Sequence, residues 1–181
     1  ADIRVGILTI REKWEKYLGF ATTTVTEDYL SDKYPMVEME QNILINASIL
    51  PSENLVTILK SLTENQAIFI EDEPLAFFTT VEQEVDFETF DVVEYSHDDI
   101  LRIQNTWDIF KLNGEAIQRD FEFLTKGRES QSIPEMTVAF NESQIFIEEG
   151  AKLPLCSLNA NDGPIYIGKD SEIMEGSMIR G

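Results

Sequence analysis

Residues 165–181 read "IYIGKDSEIMEGSMIRG", in which Ile167, Ile173 and Ile179 stand six residues apart, Gly168 follows the first, and Ser171 and Ser177 come four residues after the first two. A six-residue period matches neither the 3.6 of a helix nor the 2.0 of a strand, so it requires a chain that turns a corner at fixed intervals. A parallel β-helix does this. Each flat side takes about six residues, three sides close a coil, the first residue of each hexapeptide points into a narrow core and small residues fill the corners.

The same design recurs upstream. "IFIEEGA" (145–151) lies over "IYIGKDS" (165–171), with Ile147 over Ile167 and Ala151 over Ser171, and "LPLCSL" between them puts Leu153 and Ser157 in register. The offset of twenty residues exceeds the roughly eighteen of three bare hexads. "NANDGP" (159–164) has the turn chemistry to absorb the excess in a corner loop. The competing reading is a sandwich hairpin in which the hexad is accidental.

Working back from this segment, "NTWDIFKLNGEAIQRDFEFLTKG" (105–127) predicts a helix with Trp107, Phe110, Ile117, Phe121 and Leu124 on one stripe, Asn105 as its cap, Asp108 in its first turn and Gly127 at its end. The polar "RESQSIPEM" (128–136) reads as a linker. In "VEQEVDFETF" (81–90) Glu82, Glu84, Asp86 and Glu88 alternate with apolar residues, as in an edge strand with a solvated acidic face; cation binding is the other reading of that face.

The first eighty residues alternate helix and strand. "TIREKWEKYLG" predicts a helix over 9–18 stopped by Gly19; "FATTTVT" (20–26) is β-branched and strand-like; Ile43 to Ile45 reads as a buried strand covered on both faces; Ser52 caps a helix carrying Leu55, Ile58, Leu59 and Leu62; "AIFIED" and "PLAFFTT" are strands. The pattern predicts an α/β layered domain with a largely parallel sheet over 1–127, a linker over 128–136 and the first β-helix coils over 137–181.

The 181 residues, 43% of them hydrophobic, suffice for a core. With 14 basic against 34 acidic residues and a formal net charge of -20, nucleic acid is a poor partner. Cys156 is the single cysteine and no apolar run of membrane-span or signal-peptide length occurs, so a cytoplasmic location without membrane contact is expected, and the N-x-S sequons at Asn46 and Asn141 read as chance matches. His97, the sole histidine, has no Cys or His neighbour of the kind a zinc site needs. Cys156 reads as a small core or corner residue. The start at Ala1 and the unfinished repeat lead to the expectation that material is missing at both ends.

The order of an α/β domain, "TWDIFKLNGEAI" and hexapeptide coils resembles the sugar-1-phosphate nucleotidyltransferases that carry a left-handed β-helix. Within them it is most similar to glucose-1-phosphate thymidylyltransferases and to the bifunctional N-acetylglucosamine-1-phosphate uridylyltransferases and glucosamine-1-phosphate acetyltransferases. "ADIRVGILTIREKW", "NILINASILP", "WDIF..NGEAI" and the hexads carry the likeness, which spans nearly the whole chain.

The resemblance implies attack of a sugar-1-phosphate on the α-phosphorus of a nucleoside triphosphate with release of pyrophosphate, Mg²⁺ as cofactor, and a homotrimer built through the β-helix. The family's triphosphate loop would fall before Ala1, leaving the basic cluster Arg4, Arg11, Lys13 and Lys16, of which Arg4 and Lys13 are the phosphate-binding candidates. An Asn-Gly-Asp-like strand ending matches Asn46, Ala47 and Ser48, with Ala in place of Gly and Ser in place of the Mg²⁺-binding Asp. Asp108 is the candidate metal ligand, with a capping role as the competing reading. The functional alternatives are transfer, with an acyltransferase half in the intact parent and an inactive isolated piece, and a degenerate non-catalytic sugar-nucleotide sensor or assembly module.

Overall fold

The computed structural model of the chain describes residues 2–80 and 85–181, and it divides into two compact units, Ala1–Arg4 with Leu8–Ile109 and Val5–Ile7 with Phe110–Gly181. Val81, Glu82 and Glu84 of the acidic alternation, and the side chain of His97, lie outside the described residues.

In the first unit, helix α1 (Ile10–Leu18) starts where local chemistry demands it. The Thr9 side chain accepts the Glu12 N–H while the Glu12 carboxylate accepts the Thr9 N–H, and Gly19 closes the helix in the left-handed region at φ 86°. Strands β1 (Gln41–Ile45) and β2 (Ile49–Leu50) follow, then α2 (Glu53–Leu59). Ser52 caps α2 as read, its Oγ accepting from the Leu55 N–H at 3.1 Å and donating to Asp99 Oδ2 at 2.6 Å. Strands β3 (Gln66–Ile70), β4 (Glu73–Thr80), β5 (Asp91–Val92) and β6 (Leu101–Arg102) complete the unit.

The sheet order is β1-β4-β3-β5. β1 and β3 both run antiparallel to β4, and only the two-residue pairing of β3 with β5 is parallel, which corrects the expectation of a largely parallel sheet. Ile43 sits 38% exposed on a strand at the sheet's edge, so the run Ile43 to Ile45 is not the doubly covered strand its composition implied. The reason is the short Glu71–Asp72 reversal, which joins β3 to β4 as a hairpin and forces antiparallel pairing. "FATTTVT" forms no strand, and Phe87–Thr89 is a 3₁₀ turn with the Asp86 carboxylate accepting from the Glu88 N–H. The core holds Ile10, Ile49, Leu55, Leu59, Ile68 and Leu75, each at most 2% exposed.

The long predicted helix is broken into α3 (Asp108–Lys111) and α4 (Asn113–Thr125). Trp107 and Phe110 are 50% and 71% exposed, so the buried stripe is Ala116, Asp120, Phe121 and Leu124. Asn and Gly are weak helix formers, which places the break before Asn113–Gly114. Asn113 Oδ1 accepts the Gly6 N–H at 2.8 Å, and buried Asp120 accepts the Ile7 N–H at 2.8 Å. Residues 5–7 ("VGI") and the segment that opens with "NGEAI" thereby meet in the second unit. Gly6 has φ +81°, and a Cβ there would stand 2.5 Å from Asp120 Oδ2 and 2.9 Å from the Ala116 backbone.

Beyond α4 come five three-residue strands, β7 (Val138–Phe140), β8 (Ile145–Ile147), β9 (Ser157–Asn159), β10 (Ile165–Ile167) and β11 (Met178–Arg180). β7, β9 and β11 form one parallel ladder and β8 with β10 a second, while Lys152 bridges Glu172 in parallel between them along the chain. Ile147 pairs with Ile167, the register read from the sequence. Ile147, Leu153, Leu158 and Ile167 are buried together with Cys156, and Ile173 and Ile179 pack against them half-buried. The 159–164 corner is a loop, with the Asn161 N–H donating to Asn159 Oδ1.

Candidate functional site

A cavity of about 490 Å³ opens in the first unit, within the size range of small-molecule sites. One wall is α1, with Ile10, Arg11 and Trp14; another is β1 from Asn42 to Ile45 with Thr79 and Thr80 of β4; Thr22 to Val25 and Met36 to Glu38 close the sides. Gly19 ends the helix in the left-handed conformation, and the threonine run after it therefore folds back as a loop along the cavity instead of extending as a strand.

The walls are braced by their own polar groups. Arg11 Nε donates to Asp2 Oδ1 at 2.8 Å, one terminal nitrogen donates to the Thr22 carbonyl at 3.1 Å, and the other donates to the Thr24 hydroxyl. Glu15 accepts from the Thr22 N–H at 3.0 Å, and Thr23 Oγ1 accepts from the Val37 N–H at 3.3 Å. Trp14 is 5% exposed, its indole N–H donating to the Ile49 carbonyl at 3.0 Å, which locks the ring. Threonine hydroxyls have one donor and two acceptor positions, so these residues retain acceptor capacity for a ligand's hydroxyl groups.

The Arg11 guanidinium holds the Asp2 carboxyl below its usual range, chiefly through their hydrogen bond. Glu12 is likewise lowered, chiefly by the Thr9 backbone N–H it accepts. In the second unit, burial and then the hydrogen bond to Glu148 push the Tyr166 hydroxyl up, and Arg128 is raised by its hydrogen bonds to Glu148 and Tyr166.

Of the residues expected from sequence to bind phosphate or sugar nucleotide, only Ala47 lines the cavity. Asn46 Oδ1 accepts both the backbone N–H and the hydroxyl of Ser48, at 3.0 and 2.8 Å, making a closed turn between β1 and β2. Arg4 is surface-exposed and 3.8 Å from Glu12. Lys13 is 2% exposed on α1. Asp108 Oδ2 accepts the N–H groups of Gln104 and Asn105, at 3.1 and 2.8 Å, at the start of α3. Arg11, Trp14 and the threonine run were within the quoted motifs, but their part in one cavity depends on the turn at Gly19.

The residues at the expected Mg²⁺ position do not fit the ion. A hard cation wants carboxylates, whereas Ser48 offers a hydroxyl donated to Asn46 and Asp108 is engaged with backbone N–H groups. Among the described residues no group of three or more His, Cys, Asp and Glu side chains is placed to hold a metal, and no helix is long and apolar enough to cross a membrane.

Neither curated proteins nor solved structures give a match. A family model described as sugar nucleotidyl transferase matches residues 1–129, a span that contains the whole cavity and every candidate residue discussed. The chain belongs to the sugar nucleotidyl transferase family.

Proposed function

We propose that the protein carrying this chain transfers a nucleotidyl group from a nucleoside triphosphate to a sugar-1-phosphate, giving a sugar nucleotide and pyrophosphate. The observation that carries the reading is a braced cavity of about 490 Å³ inside the span matched to the transferase family. Its apolar walls and threonine hydroxyls suit a sugar or nucleoside moiety. In this reading Mg²⁺ would be needed to neutralise the triphosphate's charge.

The three-residue parallel ladders after residue 137 belong, in the same proposal, to a left-handed β-helix of the parent, through which it forms a homotrimer and carries an acyltransferase half. The hexad spacing and the Ile147–Ile167 register support it.

The longest natural polypeptide containing these residues, incubated with Mg²⁺, a hexose-1-phosphate and each nucleoside triphosphate in turn, is expected to release pyrophosphate. Absence of release with every combination would sink the transfer reading. Ala47 and Ser48, in place of the glycine and aspartate of the resembling family, favour a second reading, a non-catalytic sugar-nucleotide sensor. Calorimetry separates the two: sugar-nucleotide binding without turnover supports the sensor.

A further inference from the structure

The second unit stacks its chain in parallel at three places, and these differ in what they turn outward. On β8–β10, Phe146 is buried: the Arg128 guanidinium lies 5.0 Å from its ring centroid, and Tyr166 stacks on it at 5.6 Å and donates its hydroxyl to Glu148. At the Lys152–Glu172 bridge both exposed side chains are charged. On β7–β9–β11, Ala139, Leu158 and Ile179 pack into the core, so alternation turns Val138 and Phe140, Ser157 and Asn159, and Met178 and Arg180 outward. Val138, Phe140 and Met178 are 56%, 49% and 89% exposed. Of these six outward residues only Arg180 is charged, and its Nε donates to Asp162 at 2.7 Å.

We propose that the outward side of β7–β9–β11 is where a second copy of this chain docks. The inference rests on the reading above that copies of the parent assemble through these ladders, and it adds which surface they use. Met136, Leu155 and Met174, exposed in the segments that lead into the three strands, extend the apolar area. An exposed apolar patch rimmed by polar residues marks an interaction surface. Charge then selects the occupant. Two copies with a formal net charge of -20 each repel wherever carboxylate meets carboxylate, so they can associate only through a surface that lacks unpaired carboxylates. The six strand positions meet that condition, because the Asp162–Arg180 pair cancels its own charge. The other two stacks do not: exposed Glu149 borders β8–β10, and exposed Glu172 marks the third. A basic partner gains nothing on an uncharged side, whereas another acidic copy loses least there.

The test is sedimentation equilibrium of the longest natural polypeptide containing these residues, which is expected to associate reversibly. Val138→Lys combined with Met178→Lys is expected to weaken that association at least about ten-fold. The added lysines reduce the net negative charge, so overall repulsion falls and any loss of association is local in origin. Glu172→Lys makes the same change in net charge on another stack and is expected to stay within about three-fold of the unmodified protein. A second readout needs no variant: oxidation of Met178 should slow at associating concentrations, while Met39, exposed in the first unit, keeps its rate. A double variant that associates like the unmodified protein, equal weakening by Glu172→Lys, or Met178 oxidation indifferent to association overturns this surface and leaves assembly through the ladders standing. A protein that stays monomeric up to about 100 μM defeats the assembly reading and this inference together, and leaves the transfer reading untouched.

Discussion

At the scale of single residues, Gly6 is the position where side-chain size is most tightly limited. Its φ of +81° and the 2.5 Å approach to Asp120 Oδ2 exclude a methyl group, so Gly6→Ala is expected to cost about 2 kcal/mol or more in urea unfolding. Thr9 is a second such residue. Thr9→Ala removes the acceptor of the Glu12 N–H and should cost about 1 kcal/mol. The reciprocal half of that cap is pH-dependent. Glu12 is lowered in the folded chain, so its contribution is present above the ordinary glutamate range and is lost as pH falls through the depressed folded-state value. Acid titration of stability should therefore show a smaller loss in Glu12→Gln than in the unmodified protein.

At the scale of elements, residues 128–131 do more than connect. The Gln131 N–H donates to the Ile147 carbonyl at 2.8 Å, the Ile147 N–H donates to Ser130 Oγ at 2.9 Å, and the Gln131 side chain donates to Ala151 and accepts from the Gly150 N–H. The segment covers the otherwise unpaired edge of β8, the side on which a stacked ladder is open to other chains. Gln131→Ala should cost about 1 kcal/mol and speed hydrogen exchange at the Gly150 amide while leaving the ladder amide of Glu148, bonded to Ile167, protected. Within the ladders' core, Leu158 is fully buried, and Leu158→Ala is expected to cost about 3 kcal/mol by thermal or urea unfolding. Above the ordinary tyrosine range the ladder also loses the contribution of Tyr166. Its hydroxyl is raised by burial and by Glu148, so stability held below that range falls as pH climbs toward the raised value, and Tyr166→Phe should remove that alkaline loss.

At the scale of the whole molecule, a formal net charge of -20 makes self-repulsion the term that salt controls. Raising ionic strength from about 0.01 M to about 0.15 M shortens the Debye length from about 30 Å to about 8 Å, and the melting temperature is expected to rise over that range. A flat or falling profile would mean that local ion pairs such as Arg128–Glu148 outweigh the global repulsion. Ligand entry can be followed independently, since Trp14 lines the cavity and Trp107 is half exposed: in a Trp107→Phe variant, binding in the cavity should change the remaining indole emission.

What the sequence determined by itself is the part governed by short-range chemistry. The cap at Ser52, the stop at Gly19, the register of Ile147 over Ile167 and the corner loop at 159–164 all follow from residues within a few positions or one repeat of each other. What only the tertiary structure decided is long-range. The antiparallel sheet depends on which strand β4 accepts on each edge, and β-branched composition does not distinguish the Thr22–Thr24 loop from a strand. The partners of Asn113 and Asp120 are the N–H groups of Gly6 and Ile7, more than a hundred residues away, a pairing that no local pattern announces. The cavity is likewise a product of pairing. Arg11 reads from sequence as one of four neighbouring cations, and only the fold, by setting Asp2 and two threonines around its guanidinium, turns it from an anion receptor into a brace.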